Sequence, residues 1–368
     1  MNAGSARALA WVRAVPLCLL VVACGGGGGS SMPASEVEST SGGAPGTPGT
    51  SSSGSMPNPQ TIAGKPRVGP IRARAGQVIE NVHVSASDGP CIIVEGVDDV
   101  TIRDAEIGPC GSDGDPDASG IAILFSGNVS IQRNVIHDVS TAVYVMGSSH
   151  PIVMDRNYVY NVRGPLPRGQ MIQMNGVSGG SSGSRITCNV SDAKPGVRHG
   201  VMHGDTAAGI EDHINFFGSP GLAGDHTEVA YNRLRGGSKV STSGSGIMMG
   251  EGGGGRLNVH HNTIVDVVNA GAGISGGADI RFDSNRIYQH RNAGIYVNVG
   301  LYVWGQDGAS CTGGHTLTNN RIWTTTSSGA LNPFWNDGNC EPVNLSGNVF
   351  DDASLTPAIF DEVPAACR

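Results

Sequence analysis

Apolar residues almost never recur at helical spacing in this chain, which excludes a helical fold. Positive charge is short: 23 Lys and Arg stand against 31 Asp and Glu, and only Lys65, Lys194 and Lys239 are lysines. A chain this acidic is not expected to bind nucleic acid. No Cys-x-x-Cys spacing occurs, which argues against a metal centre built on cysteine. The apolar run Ala14 to Ala23 is too short to span a membrane. Aromatic residues make up 5% of the 368 residues and charged ones 15%, whereas glycine is abundant at 57. That suits a fold of many tight turns with ample length for a core.

What is present is a repeat. Leu257 to Ile264 reads LNVHHNTI, and relatives recur: VSIQRNVI from Val129, IVMDRNYV from Ile152, TEVAYNRL from Thr227, IRFDSNRI from Ile280, TLTNNRI from Thr316 and VNLSGNVF from Val343. Fainter copies are VTIRDAEI from Val100 and RITCNVS from Arg185. Alternating apolar residues make a short strand with one buried face. A unit this short cannot bury that face alone, so copies must stack. The shared residues Asn134, Asn157, Asn189, Asn232, Asn262, Asn285, Asn320 and Asn348 are then expected in one buried column, each amide bonding the next. Asn also tolerates the left-handed backbone of a sharp turn. Strand, Asn corner, strand and loop describe one coil of an all-β, single-stranded right-handed parallel β-helix. At roughly 25 residues per coil, about twelve coils are expected, in a stack ~50–55 Å long. The fold is expected to start over Thr61 to Gln77, with Val78 to Val84 as an early strand. A second apolar piece in each coil, such as Gly120-Ile-Ala-Ile-Leu124 or Gly246-Ile-Met-Met249, should stack into a second sheet.

Residues 1–24 read as a targeting leader, with Arg7 and Arg13 ahead of the apolar run. Its end, Val21-Val-Ala-Cys24, resembles the bacterial lipoprotein signal. That resemblance implies lipid attachment at Cys24, with Gly25 after it favouring the outer membrane or cell surface. The lipid would be the only contact with a membrane. Residues 25–60, rich in Gly, Ser, Thr and Pro, read as a disordered tether, and residues 61–368 as one β-helix domain, expected to be a monomer. Once the leader and Cys24 are set aside, six cysteines remain, an even number that implies disulfides in an exported chain. Cys91 with Cys110 and Cys311 with Cys340 lie about one coil apart and are the favoured pairs, leaving Cys188 with Cys367 as the remainder.

Long loops on a solenoid tend to build its binding face. The longest Asn spacing, 43 residues from Asn189 to Asn232, falls in the densest polar stretch, Arg198 to Glu251. A hydrolase needs one protonated and one ionised carboxyl. Glu211, Asp212 and Glu251 are the candidates, with a bulge needed to bring Glu211 and Asp212 to one substrate. A lyase needs a cation on the uronate and a base. Asp205, Asp212 and Glu251 are the candidate calcium ligands, and Lys194, Arg198, His199, His203 and Lys239 the candidate bases. Substrate contacts are expected from Tyr144, Gln173, Asn175, His213, Asn215, Tyr296 and Asn298, extended by Tyr302, Trp304, Trp323 and Trp335: rings for sugar C–H faces and amides for hydroxyls.

The repeats resemble the pectin-lyase-like superfamily of parallel β-helix proteins, over roughly Val78 to Phe350. That implies polysaccharide lyase, glycoside hydrolase, epimerase or non-catalytic surface activity, since the fold does not fix the reaction. Gly209-Ile-Glu-Asp-His-Ile-Asn215 is similar to the paired-acid motif of polygalacturonases, but their Gly-His-Gly histidine and Arg-Ile-Lys triplet are missing. The expectation is a polysaccharide-cleaving protein. Its alternative is a non-catalytic glycan-binding or adhesive one.

Overall fold

In the computed structural model the chain divides into two compact units, residues 1–51 and 52–368. The structure describes residues 57, 64–148, 151–165, 168–177, 183–193, 209–306 and 308–368, all in the second unit. The leader, Cys24, nearly all of the tether, and Lys194, Arg198, His199, His203 and Asp205 lie outside the described residues.

Three parallel sheets of eleven, ten and ten strands enclose one apolar core, and the chain visits them in strict rotation. They are named here sheet A, which includes Val135–Val139; sheet B, which includes Val143–Met146; and sheet C, which includes Ile152–Asp155. About ten coils result, where twelve were expected. The excursions account for the difference, because the 23-residue Asn spacing is a minimum that most coils exceed. The fold starts within the expected stretch Thr61 to Gln77, with Arg67–Val68 and Ile71–Arg72. The stretch from Val78 is two strands, Val78–Glu80 and His83–Ala86, split by a left-handed Asn81.

Each coil repeats because its side chains stack in register. On sheet C, Ile102, Ile131, Met154, Ile186, Val229 and Val259 pair in one inward row, all fully buried. Between sheets C and A stands the asparagine column. Asn134 Nδ2 donates to Asn157 Oδ1 at 3.0 Å, and the link continues unbroken to Asn348. Each acceptor oxygen also takes the backbone N–H of the Asn before it. The second amide hydrogen goes to a backbone carbonyl, Ile102 O for Asn134. The column starts at Asn134, whose Oδ1 takes the N–H of Ala105, the residue in the Asn position of the faint copy. The left-handed residue at this corner is not the Asn. It is the residue before it: Arg133, Arg156, Cys188, Tyr231, His261, Ser284 and Asn319. The Asn is kept for its amide, and the corner's backbone falls to its neighbour.

The two favoured disulfides, Cys91–Cys110 and Cys311–Cys340, are formed, and the two remaining cysteines pair as Cys188–Cys367. The last ties down the C-terminal segment, which runs back over the outer face of sheet A. There Leu355, Ile359 and Phe360 pack on Val190 and Val265, beside Tyr158, Tyr288 and Trp323. Arg235 stacks on the Phe360 ring at 3.8 Å. Trp323 is therefore committed to this packing and not to a sugar surface.

Candidate active site

The outward row of sheet B forms the wall of interest. Tyr144, Gln173, Asn215, Met248, Gly273, Tyr302 and Trp335 pair strand by strand along it. At one end the Arg168 guanidinium lies 4.1 Å from the Tyr144 ring centre and donates to Gln173 Oε1 at 3.2 Å. Asn175 Nδ2 donates to the Tyr144 hydroxyl at 3.2 Å. At the other end Tyr302 folds back over Gly273, where a Cβ would meet the ring at 2.3 Å. Its hydroxyl meets Ser275 Oγ at 3.0 Å and receives Gln306 Nε2 at 2.7 Å. Burial first, with the charges of Asp212 and Glu251 adding, holds that phenol firmly protonated. Beyond it, Trp304 and Trp335 stand edge to face, 6.0 Å apart and partly exposed. They border a cavity of about 350 Å³ that Asn269, Asn298 and Asn332 also line.

Between the two ends lie the acids. Asn215 Nδ2 donates to Asp212 Oδ2 at 2.8 Å and to Glu251 Oε2 at 2.9 Å, so one amide joins two carboxyls. Ser245 Oγ donates to Asp212 Oδ1 at 2.7 Å, and Ser243 Oγ to Glu211 Oε1 at 3.1 Å. A bulge makes this arrangement. Asn215 pairs with Met248, but Phe217 pairs with Glu251, so the strand Ser245–Glu251 carries one extra residue. Gly250 absorbs it at φ 74°, where a Cβ would collide with Gly276 O at 2.2 Å. Without the extra residue Glu251 would fall one position beyond Phe217, off the wall. The sequence reading expected a bulge at Glu211–Asp212, and it lies on the neighbouring strand instead.

Burial, then the Glu211 charge, pushes Asp212 up to about 7. Burial also raises Glu211, with the Glu251 charge adding and the Ser243 hydroxyl opposing. Three acids this close do not all ionise at neutral pH. Asp212 binds its proton in the folded state far above the pH at which it loses it when unfolded. Stability should therefore fall as pH rises from about 4 to 7, with the deficit complete above 7. Asp212→Asn removes that penalty. Its melting temperature should gain on the parent's from about pH 4 to pH 7 and then level off, as read by scanning calorimetry. A constant difference would mean that Asp212 does not carry the proton.

Glu211, Asp212, Glu251 and Asn215 are thus brought together, with Tyr144, Gln173 and Asn175 on the same wall. Tyr296 is not in the row: it precedes the strand Val297–Val303 and stands exposed. Asn298 reaches only the cavity at the Trp end. His213 is a correction. It points into the core, is fully buried, and bonds Ser191 Oγ at 2.8 Å and Gly236 O at 3.0 Å. Ser191 interrupts the inward row of sheet A between Val159 and Leu234, and His213 satisfies it. Burial pushes that imidazole down to about 4, so it is neutral and touches no substrate.

Of the expected calcium ligands Asp212 and Glu251 are described, whereas Asp205 lies outside the described residues. An amide N–H sits between Asp212 and Glu251, and a donor there opposes a cation. Among the described residues these acids form no metal-ligand cluster. Ser243, Ser245, Arg168 and Gln306 were missed by the sequence reading. A glycine inside an apolar strand, as at Gly250, was the available sign of the bulge.

Fold and wall together define a parallel β-helix protein with an acid-lined face. Residues 71–212 match the family model of the right handed beta helix region, which gives the hand of the coil. No curated protein matches the chain by sequence. Among solved structures, the chain is similar to an alginate lyase from Paenibacillus sp. str. FPU-7, with 14% identity, 77% of this chain and 94% of that chain covered, and a TM-score of 0.47. It is similar to the A-module of an Azotobacter vinelandii mannuronan C-5 epimerase, with 13% identity, 77% and 87% covered, and a TM-score of 0.41. The catalytic domain of an alpha-1,3-glucanase in complex with nigerose gives 12% identity, 77% and 56% covered, and a TM-score of 0.41. At these identities and scores the likeness is one of architecture alone.

Proposed function

We propose that this protein is an exported glycoside hydrolase that binds a polysaccharide along sheet B and cleaves it at Asp212 and Glu251. The observation that carries the reading is the single amide of Asn215 holding both carboxyls while burial keeps a proton on Asp212 near neutrality. Such a pair supplies an acid for the leaving oxygen and a second carboxyl, Glu251, for the other face of the sugar. Among the described residues Asn215 Oδ1 is buried without a partner, and a sugar hydroxyl would satisfy it. The Trp304–Trp335 end offers ring faces for further sugar units.

A lyase is disfavoured by charge. Among the described residues three acids meet at this site, and the nearby Arg168 is engaged with Tyr144 and Gln173. A uronate would be repelled unless a cation intervened. A neutral glycan fits better. Export is supported by three disulfides, which persist in oxidising compartments. Attachment through Cys24 rests on the leader pattern alone.

Incubation of residues 61–368 with a panel of neutral and acidic polysaccharides tests the reading. Reducing ends should appear on a neutral glycan without unsaturated products. Unsaturated uronates would reassign the site to a lyase, and binding without products from any glycan would make the protein a non-catalytic binder.

A further inference from the structure

A second cluster stands on the outer face of sheet A, away from the acid wall. His83 and Glu106 face each other on the paired strands His83–Ala86 and Glu106–Cys110, and His137 comes from the next strand, Val135–Val139. One ligand atom from each lies within 4.8 Å of the others. His83 Nδ1 is 3.7 Å from Glu106 Oε2, and His137 Nε2 is 3.3 Å from Glu106 Oε1. We propose that His83, Glu106 and His137 form a binding site for one transition-metal dication of the zinc type.

Proton accounting supports this. The far nitrogen of each ring is already engaged by an acceptor: His83 Nε2 by Gly108 O at 2.7 Å, and His137 Nδ1 by Asp138 Oδ2 at 2.7 Å. Those bonds place each neutral ring's hydrogen on the far side. With both rings neutral, two nitrogen lone pairs and a carboxylate converge on one point, whereas a protonated His137 donates its Nε2–H to Glu106 Oε1 at 3.3 Å, so a bound ion takes the place of that proton. Imidazoles that ligate metals commonly give their other N–H to a carboxylate or a backbone carbonyl, and both partners are present here. Tetrahedral zinc with bonds near 2.0–2.1 Å sets its ligand atoms roughly 3.3–3.5 Å apart, close to the two separations found.

The surroundings hold the rings. Tyr160 stacks on His137 at 4.9 Å and 13°. Gly108 admits the close approach of its carbonyl, since a Cβ there would strike His137 O at 1.8 Å. The three side chains are 10%, 19% and 10% exposed, so a fourth ligand can come from solvent. Two nitrogens and one carboxylate suit zinc, cobalt or nickel, whereas calcium takes six to eight oxygens. Arg67, opposite His83 on the neighbouring strand, adds a positive charge that the bound ion must tolerate. A bound ion would tie three successive coils together.

The test uses untagged, chelator-treated protein with its disulfides intact, so that Cys311 and Cys340 cannot compete with His315 for metal. Calorimetric titration with zinc chloride should give one site. His83→Gln and His137→Gln should each weaken it at least about a hundredfold, and Asp138→Asn about 10–100-fold. X-ray absorption of the zinc-loaded parent protein should show nitrogen and oxygen neighbours with imidazole scattering, which keeps the test independent of how the variants fold. No binding at millimolar zinc, affinity unchanged in both histidine variants, or a sulfur shell would each overturn the proposal.

Discussion

Asp212→Asn and Glu251→Gln should each lower kcat by about 10²–10⁴-fold while leaving glycan affinity within a few-fold. Both substitutions keep size and hydrogen-bonding capacity and remove only the titrating oxygen. Asn215 can still bridge the two side chains after either change, because its amide then meets a neutral carbonyl. A collapse in binding that matched the loss in turnover would instead mark the acids as sugar-holding groups. The double variant should be little worse than the poorer single one, because groups that pass a proton between them act as a unit. Turnover surviving in both single variants would remove the acid pair from catalysis. The same Asp212→Asn protein should be more stable than the parent above pH 7, so activity and stability are expected to move in opposite directions.

Asn232→Ala should cost about 3–5 kcal/mol, among the largest losses expected for one residue in this fold. Asn232 is fully buried in the middle of the column. Its Oδ1 accepts from both the backbone and the side chain of Asn189, and its Nδ2 donates to Ile186 O at 2.7 Å and Asn262 Oδ1 at 2.9 Å. Alanine would leave those partners buried without replacements, in a space closed to water by the coils on either side. Asn348→Ala ends the column without interrupting it. That residue is only partly buried and accepts from one neighbour, Asn320, so about 1 kcal/mol is expected. Urea midpoints of the two variants would measure the contrast. Equal shifts would mean that the column does not act as a continuous chain of bonds.

The column is also the part of the fold most legible in the sequence. An amide that must meet its own copy in the next coil leaves its letter at a fixed place in every repeat, whatever the loops between do. Strand alternation was legible for the same reason. Coil number was not, because excursions such as the one after Asn189 consume chain without adding a strand. At the site, the acids and Asn215 could be read from their density in one stretch. His213 could not be told from them, since a histidine in a strand looks the same whether it turns inward to Ser191 or outward to a sugar. Nor could the bulge be assigned to its strand, because register shifts arise between two chains and neither alone states them. His83, Glu106 and His137 are 23 and 31 residues apart. Nothing links them until the winding lays their strands side by side.

The bond between Cys188 and Cys367 has a mechanical consequence. A pull applied to the chain at or after Cys367 passes directly to Cys188 and bypasses the 179-residue separation between them. For a molecule held at its front end and dragged by whatever grips its rear, only the coils ahead of Cys188 bear tension. The rest, including the acid wall from Glu211 onward, hangs as a slack closed loop, and the machinery is spared the force.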